Sequence, residues 1–178
     1  MRVHSRRTFL SGMLAIVPII TTPSRLWAES TSLRALRFTH THTGERLAIE
    51  YFRSGECLRD ALATVNYFLR DFRTGDIHDI DPDLLDLLYH LTRVTDTSKP
   101  FQVISGYRSL ATNEMLRHRS EGVAAGSLHM KGQAIDIRLA DVPLAALRRA
   151  ALDLRRGGVG YYPASDFVHV DTGRVRMW

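Results

Sequence analysis

One cysteine, Cys57, stands among the 178 residues. That excludes an internal disulfide framework and a cysteine-rich zinc site. Residues 29–178 contain no internal repeat, low-complexity tract or linker-like stretch, so solenoids, collagen-like chains and a two-domain division are excluded as well. Long apolar runs are missing; Gly12–Ile20 is a short one, about half of what a spanning helix requires. Nor is there a real excess of one charge sign. Lys+Arg is 24 against Asp+Glu 19, but Arg2, Arg6, Arg7 and Arg25 lie in the first 28 residues with no acid beside them. The remainder is close to neutral and lacks the stripe that neutralises phosphates, so no nucleic-acid partner is expected. What is present is ordinary: 44% apolar and 24% charged residues, enough for one core burying about two-thirds of the chain's surface.

The first 28 residues read as an address. Arg6-Arg7 precedes Phe9-Leu10 and the short apolar run, a layout similar to a twin-arginine export signal. Export machinery of that kind is the expected partner, the periplasm the expected location, and Ala28 the expected cleavage point. A processed chain of 29–178 has no stable membrane span. An uncleaved signal would leave it tethered.

Periodicity organises the rest as one α+β domain. Leu36–Thr41 and Arg46–Phe52 alternate around Thr43-Gly44 as a hairpin, and 57–72 carries helical spacing from Cys57 to Phe72. Asp81-Pro82 starts a second helix, rich in leucine. Phe101–Ser105 is a short strand, 111–120 a polar helix and Gln133–Leu139 a strand. Asp141-Val-Pro143 opens a last helix, stopped by Gly157-Gly158, and short strands follow at 159–162, 167–172 and 174–178. The expected architecture is an antiparallel sheet with helices packed on it.

Strand parity singles out a group of polar residues. Ile135, Ile137 and Leu139 share one face and Asp136 takes the other; Val168 and Val170 share one face, His169 and Asp171 the other. If the aliphatic faces join one core, Asp136 and His169 converge, and His129 can fold over at Gly132 to meet them. Two imidazoles and a carboxylate suit a borderline metal such as Zn²⁺. Spacing alone equally allows an exposed Asp and two unrelated histidines.

The whole pattern Ser127-x-His129-x-x-Gly132-x-Ala134-x-Asp136, with Gly-Tyr-Arg-Ser around Arg108, Gly-Val-Gly-Tyr-Tyr-Pro and Phe-Val-His-Val-Asp-Thr-Gly downstream, resembles the D-Ala–D-Ala metallopeptidases. This group also includes lysostaphin-like enzymes and the hedgehog zinc domain, and the chain is similar to its YcbK branch of murein endopeptidases. The resemblance runs from about Leu36 to Trp178. It implies Zn²⁺ held by His129, Asp136 and His169, and Arg108 stabilising the oxyanion formed when water attacks a peptide carbonyl. It also implies peptidoglycan peptide stems as substrate, with cross-links involving meso-diaminopimelate favoured over carboxypeptidase trimming. A monomer is expected.

One position departs from that pattern. Where many relatives have Glu three residues before the last histidine, this chain has Asp166. Asp166 and Asp171 are therefore both candidates for the general base, Asp171 being equally suited to orienting a histidine. Ser127 either donates near the site or caps its loop. Tyr161 and Tyr162 are candidates for the groove, Tyr161 as the substrate contact, with core packing accounting for at least one of them. His40 and His42 read as an exposed hairpin pair, and Cys57 as a residue opening a helix. A non-catalytic zinc or murein-binding module is the rival reading.

Overall fold

The alternation of the first strands folds as expected in the computed structural model, which describes residues 33–119 and 123–178. The export-signal segment lies outside the described residues. β1 (Arg34–His40) and β2 (Arg46–Arg53) pair antiparallel, and the short β3 (Glu56–Cys57) extends β2. Cys57 thus ends a strand instead of opening a helix. α1 (Arg59–Phe68) also stops before Phe72. Local bonds replace helical ones there: the Asp71 carbonyl accepts from Gly75 N–H and the Asp71 carboxylate from Arg73 N–H.

α2 (Pro82–Val94) begins where the sequence places it. The Asp81 carboxylate caps it by accepting Asp83 N–H at 3.0 Å, and Leu84, Leu85, Leu87, Leu88 and Leu91 are buried. β4 (Phe101–Ser105), α3 (Leu110–Arg119), β5 (Ala134–Arg138), α4 (Leu144–Leu154), β6 (Gly158–Tyr162), β7 (Phe167–Asp171) and β8 (Arg176–Met177) complete the fold. No described helix is long and apolar enough to cross a membrane.

The strands form one sheet in the order β3-β2-β1-β4-β5-β7-β6-β8. Its centre is antiparallel, but β1 pairs parallel with β4, and β6 with β8. The sheet is therefore mixed. Parallel pairing of β1 and β4 requires a long return path, which β2, β3, α1 and α2 supply. α1, α2 and α4 cover one face, enclosing Phe38, Phe101, Ile135, Ile137, Val168 and Val170. Each such side chain contributes about 1.5–3 kcal/mol of hydrophobic stabilisation. Because those positions on β5 and β7 face the core, Asp136 and His169 face the other way.

Candidate active site

β5 and β7 make Asp136 and His169 direct register partners, with His169 Nδ1 2.9 Å from Asp136 Oδ1. His129 arrives from a 3₁₀ turn, Leu128–Lys131, capped by Ser127, whose hydroxyl oxygen accepts His129 N–H at 3.3 Å. Gly132 closes that turn at φ 66°. A Cβ there would also stand 2.0 Å from the Asp79 carbonyl oxygen, so conformation and space both require glycine. The turn sets His129 Nε2 3.2 Å from Asp136 Oδ1 and 3.2 Å from His169 Nδ1. All three side chains are buried.

The outer nitrogens decide what the inner ones present. His129 Nδ1 lies 2.7 Å from the Gly106 carbonyl oxygen, which can only accept. His169 Nε2 lies 3.0 Å from Asp171 Oδ2, a carboxylate that also accepts. Both imidazoles therefore donate outward and turn lone pairs inward, onto a third acceptor, Asp136 Oδ1. Three converging acceptors need a positive charge among them, either a proton on His169 or a metal ion. Tetrahedral coordination at 2.0–2.2 Å separates ligand atoms by roughly 3.3 Å or slightly more, so a zinc-sized ion fits with shifts of a few tenths of an ångström.

Electrostatics follow the same arrangement. Burial pushes His129 down, with Asp136 pulling against it. Burial also opposes charging His169, but Asp136 and Asp171 outweigh it and its pKa is raised. Burial would raise the Asp136 carboxyl, yet the neighbouring histidines hold it well below the usual carboxylate range.

Arg108 stands on the outer side of Asp136. Its Nη2 donates to Asp136 Oδ2 at 2.5 Å, its Nε to Ser105 Oγ at 2.9 Å, and its backbone N–H to the His129 carbonyl at 3.2 Å. A bulge in β4 makes this possible: the register shift between Val103 and Ser105 sets Ser105, not Ile104, opposite Asp136. The result is a fixed guanidinium beside the three acceptors, able to stabilise negative charge developing on an oxygen there.

The two base candidates fall in different places. Asp171 is fully buried. Its Oδ1 accepts from Gly158 N–H, Gly173 N–H and Arg176 Nη1, and its Oδ2 from His169 and Arg176 Nη2. Burial alone would raise its carboxyl, but these donors hold it well below the usual range. It orients His169 and has no oxygen left for a water. Asp166 sits in a left-handed turn at φ 53°, its side chain 65% exposed and paired with Arg138 at 2.7 Å. The structure does not bring it to the three acceptors.

A cavity of about 640 Å³ opens over the group, lined by His129, Asp136, His169, Arg108 and Ser127. Tyr161 is not in its wall. Val159 and Tyr161 pair with Val170 and Val168 and share their core side, so Tyr162 is the tyrosine that lines the cavity. The Tyr162 hydroxyl accepts Trp178 Nε1–H at 2.7 Å, and the Trp178 ring lies 5.3 Å from that of His169. Gly160 makes room for it: a Cβ there would stand 2.8 Å from the indole. Parity along β6 could have found Tyr162; no signal marks Trp178, which follows a two-residue strand. Arg73 and Arg176, also in the wall, carry no motif. His42 is exposed as expected, whereas His40 is buried, because β1 turns it toward Phe68 and Phe72.

Paired imidazoles and a carboxylate on the open face of an α+β sheet, with a guanidinium alongside, make a group that could hold a metal ion. The similarity to known proteins is narrower. Residues 28–178 match the family model described as peptidoglycan L,D-endopeptidase MepK, and the chain belongs to that family. The protein of that name from Escherichia coli (strain K12) is 46% identical over 169 residues, covering 95% of this chain and 93% of that protein. A probable peptidoglycan L,D-endopeptidase MepK from Haemophilus influenzae is 41% identical, covering 98% and 96%. Among solved structures, the Serratia marcescens L-Ala D-Glu endopeptidase ChiX aligns over 54% of this chain and 69% of its own, at 21% identity and a TM-score of 0.37.

Proposed function

We propose that this chain is an exported, zinc-dependent endopeptidase that hydrolyses amide bonds in peptidoglycan peptide cross-links involving meso-diaminopimelate. The observation that carries this reading is the convergence of His129 Nε2, His169 Nδ1 and Asp136 Oδ1, three potential metal-ligand atoms within 3.2 Å of one another. Zinc bound there supplies Lewis acidity and an activated water near neutral pH. The chain's own residues do the rest. Gly106 O and Asp171 fix the imidazole tautomers, and Arg108 supplies the charge that meets a developing oxyanion. With Asp171 saturated and Asp166 on Arg138, the reading rests on the metal group and Arg108, not on a carboxylate base. Membership in a peptidoglycan endopeptidase family supports an extracytoplasmic site of action, and the paired Arg6-Arg7 supports the twin-arginine route to the periplasm.

The test is incubation of purified, metal-loaded protein with cross-linked muropeptide dimers, with and without a chelator. Expected is conversion of dimer to monomers, lost on chelation and restored by Zn²⁺. Release of a terminal residue alone would make the enzyme a carboxypeptidase. Binding of the dimers with no cleavage by loaded protein would make it the murein-binding module that the lack of a free carboxylate base favours.

A further inference from the structure

Among the described residues three arginines line the cavity: Arg108, Arg176 and Arg73. Two are committed to carboxylates of the site, Arg108 to Asp136 and Arg176 to Asp171. Arg73 is different. Among the described residues no carboxylate lies within ion-pair distance of its guanidinium, which rests 4.2 Å over the Phe72 ring and keeps its N–H edges free. Phe72 in turn stacks on His42 at the same rim.

Among the described residues the acid that acts on it is Asp71, which is otherwise engaged. Its buried carboxylate accepts Arg73 N–H at 3.0 Å, Ser109 N–H at 2.9 Å and the Ser109 hydroxyl at 2.7 Å. A single group thereby pins the loop that carries Arg73 to the residue after Arg108. Two of these bonds come from backbone N–H groups, so the segments carrying Arg73 and Arg108 are fixed relative to each other before any ligand arrives. Partial desolvation at the cavity wall lowers the Arg73 pKa from its ordinary value; Asp71 pulls the other way, and the Arg108 and Arg119 charges add to the lowering. A fixed positive region with one unneutralised guanidinium favours an anion, and its planar fork suits a carboxylate.

We infer that Arg73 anchors a carboxylate-binding subsite, holding the free carboxylate that flanks the scissile amide on its nitrogen side. This rests on the endopeptidase reading. In a cross-link onto diaminopimelate, the carbon bearing the acylated nitrogen also bears a carboxylate, so the substrate carries this anion a few bonds from the carbonyl that Arg108 serves.

The experiment compares wild type and Arg73→Gln on two cross-linked dimers, one with that carboxylate free and one with it as the carboxamide. The side chain is exposed and the Asp71 bond uses the backbone, so the variant retains the fold. Removing either partner of a charged hydrogen bond is expected to lower kcat/KM about tenfold, and removing both no further. Arg73→Lys recovers part of the loss. A third dimer, amidated at a stem carboxylate remote from the scissile bond, is cleaved like the first. Equal discrimination by wild type and Arg73→Gln overturns the subsite, and a loss confined to the third dimer overturns its placement. If loaded wild type cleaves none of the dimers, the endopeptidase reading fails by itself. Dissociation constants for the uncut dimers, in the same two-by-two comparison, then decide the subsite: about tenfold weakening without additivity supports it, and unchanged values overturn it.

Discussion

Two pairs of histidines on this sheet have opposite fates. His40 is as buried as His129, at 1% and 2% exposure, yet only His129 has a carboxylate within hydrogen-bond distance of its ring. Around His40 stand Phe68, Phe72 and the turn it caps, where its Nδ1 accepts from His42 N–H at 3.2 Å and Thr43 N–H at 3.4 Å. Its Nε2 is buried with no hydrogen-bond partner, and burial drives its pKa down to about 4. It is a neutral packing element. At the other pair each ring has one nitrogen fixed outward and one aimed at Asp136. Burial alone does not make a histidine a ligand; a convergent carboxylate and a fixed tautomer do.

Removing the carboxylate should therefore make the second pair behave like the first. Asp136→Asn keeps the shape and deletes the charge. Bound metal, measured by elemental analysis, should fall to near zero, and cleavage of cross-linked dimers by roughly 10³-fold or more, since the metal supplies several kcal/mol of transition-state stabilisation. A variant that retains one equivalent of metal would break the comparison. The next effect in size belongs to Arg108. Arg108→Ala should lower kcat by about 10²–10³-fold with metal content near that of wild type and KM little changed. Arg108→Lys should restore little, because an ammonium lacks the fork that spans Asp136 and Ser105. Single-turnover cleavage by the three proteins is the measurement, and equal rates would remove Arg108 from the chemistry.

How far the sequence discloses this site depends on the range of the signal. Period-two alternation is local, and it correctly places Asp136 and His169 on one face because Ile135, Ile137, Val168 and Val170 must face the core. The same rule along β6 separates Tyr161 from Tyr162. Features that depend on distant residues are not legible in this way. The parallel pairing of β1 with β4 closes a long loop. The bulge that aims Ser105 at Arg108 shows only against β5. Whether Asp171 or Asp166 is free to act as a base depends on Arg176 and Arg138, pairings that no spacing announces. Trp178 reaches His169 only because β8 docks beside β6 and Gly160 leaves room.

The smallest expected effect concerns His40, and it tests the other half of the comparison. Above pH 6.5 the imidazole is neutral in both the folded and the unfolded chain and carries no penalty. Between 6.5 and about 4 the unfolded chain binds a proton that the folded chain refuses, so stability falls as pH falls through that window. The loss should be about 3 kcal/mol by the lower end. His40→Asn removes the titration while its Oδ1 can still accept from His42 and Thr43 N–H, as the imidazole Nδ1 does. The variant is expected to be less stable at pH 7, having lost ring packing against Phe68 and Phe72. Its denaturation midpoint should nevertheless decline less between pH 7 and 4.5. Other groups titrate over the same range, so the difference between the two slopes isolates His40. Metal content and kcat should match wild type, since His40 touches none of the three acceptors. Identical acid slopes would show that His40 is not the group refusing the proton, and a loss of metal would join the two histidine pairs that the structure keeps apart.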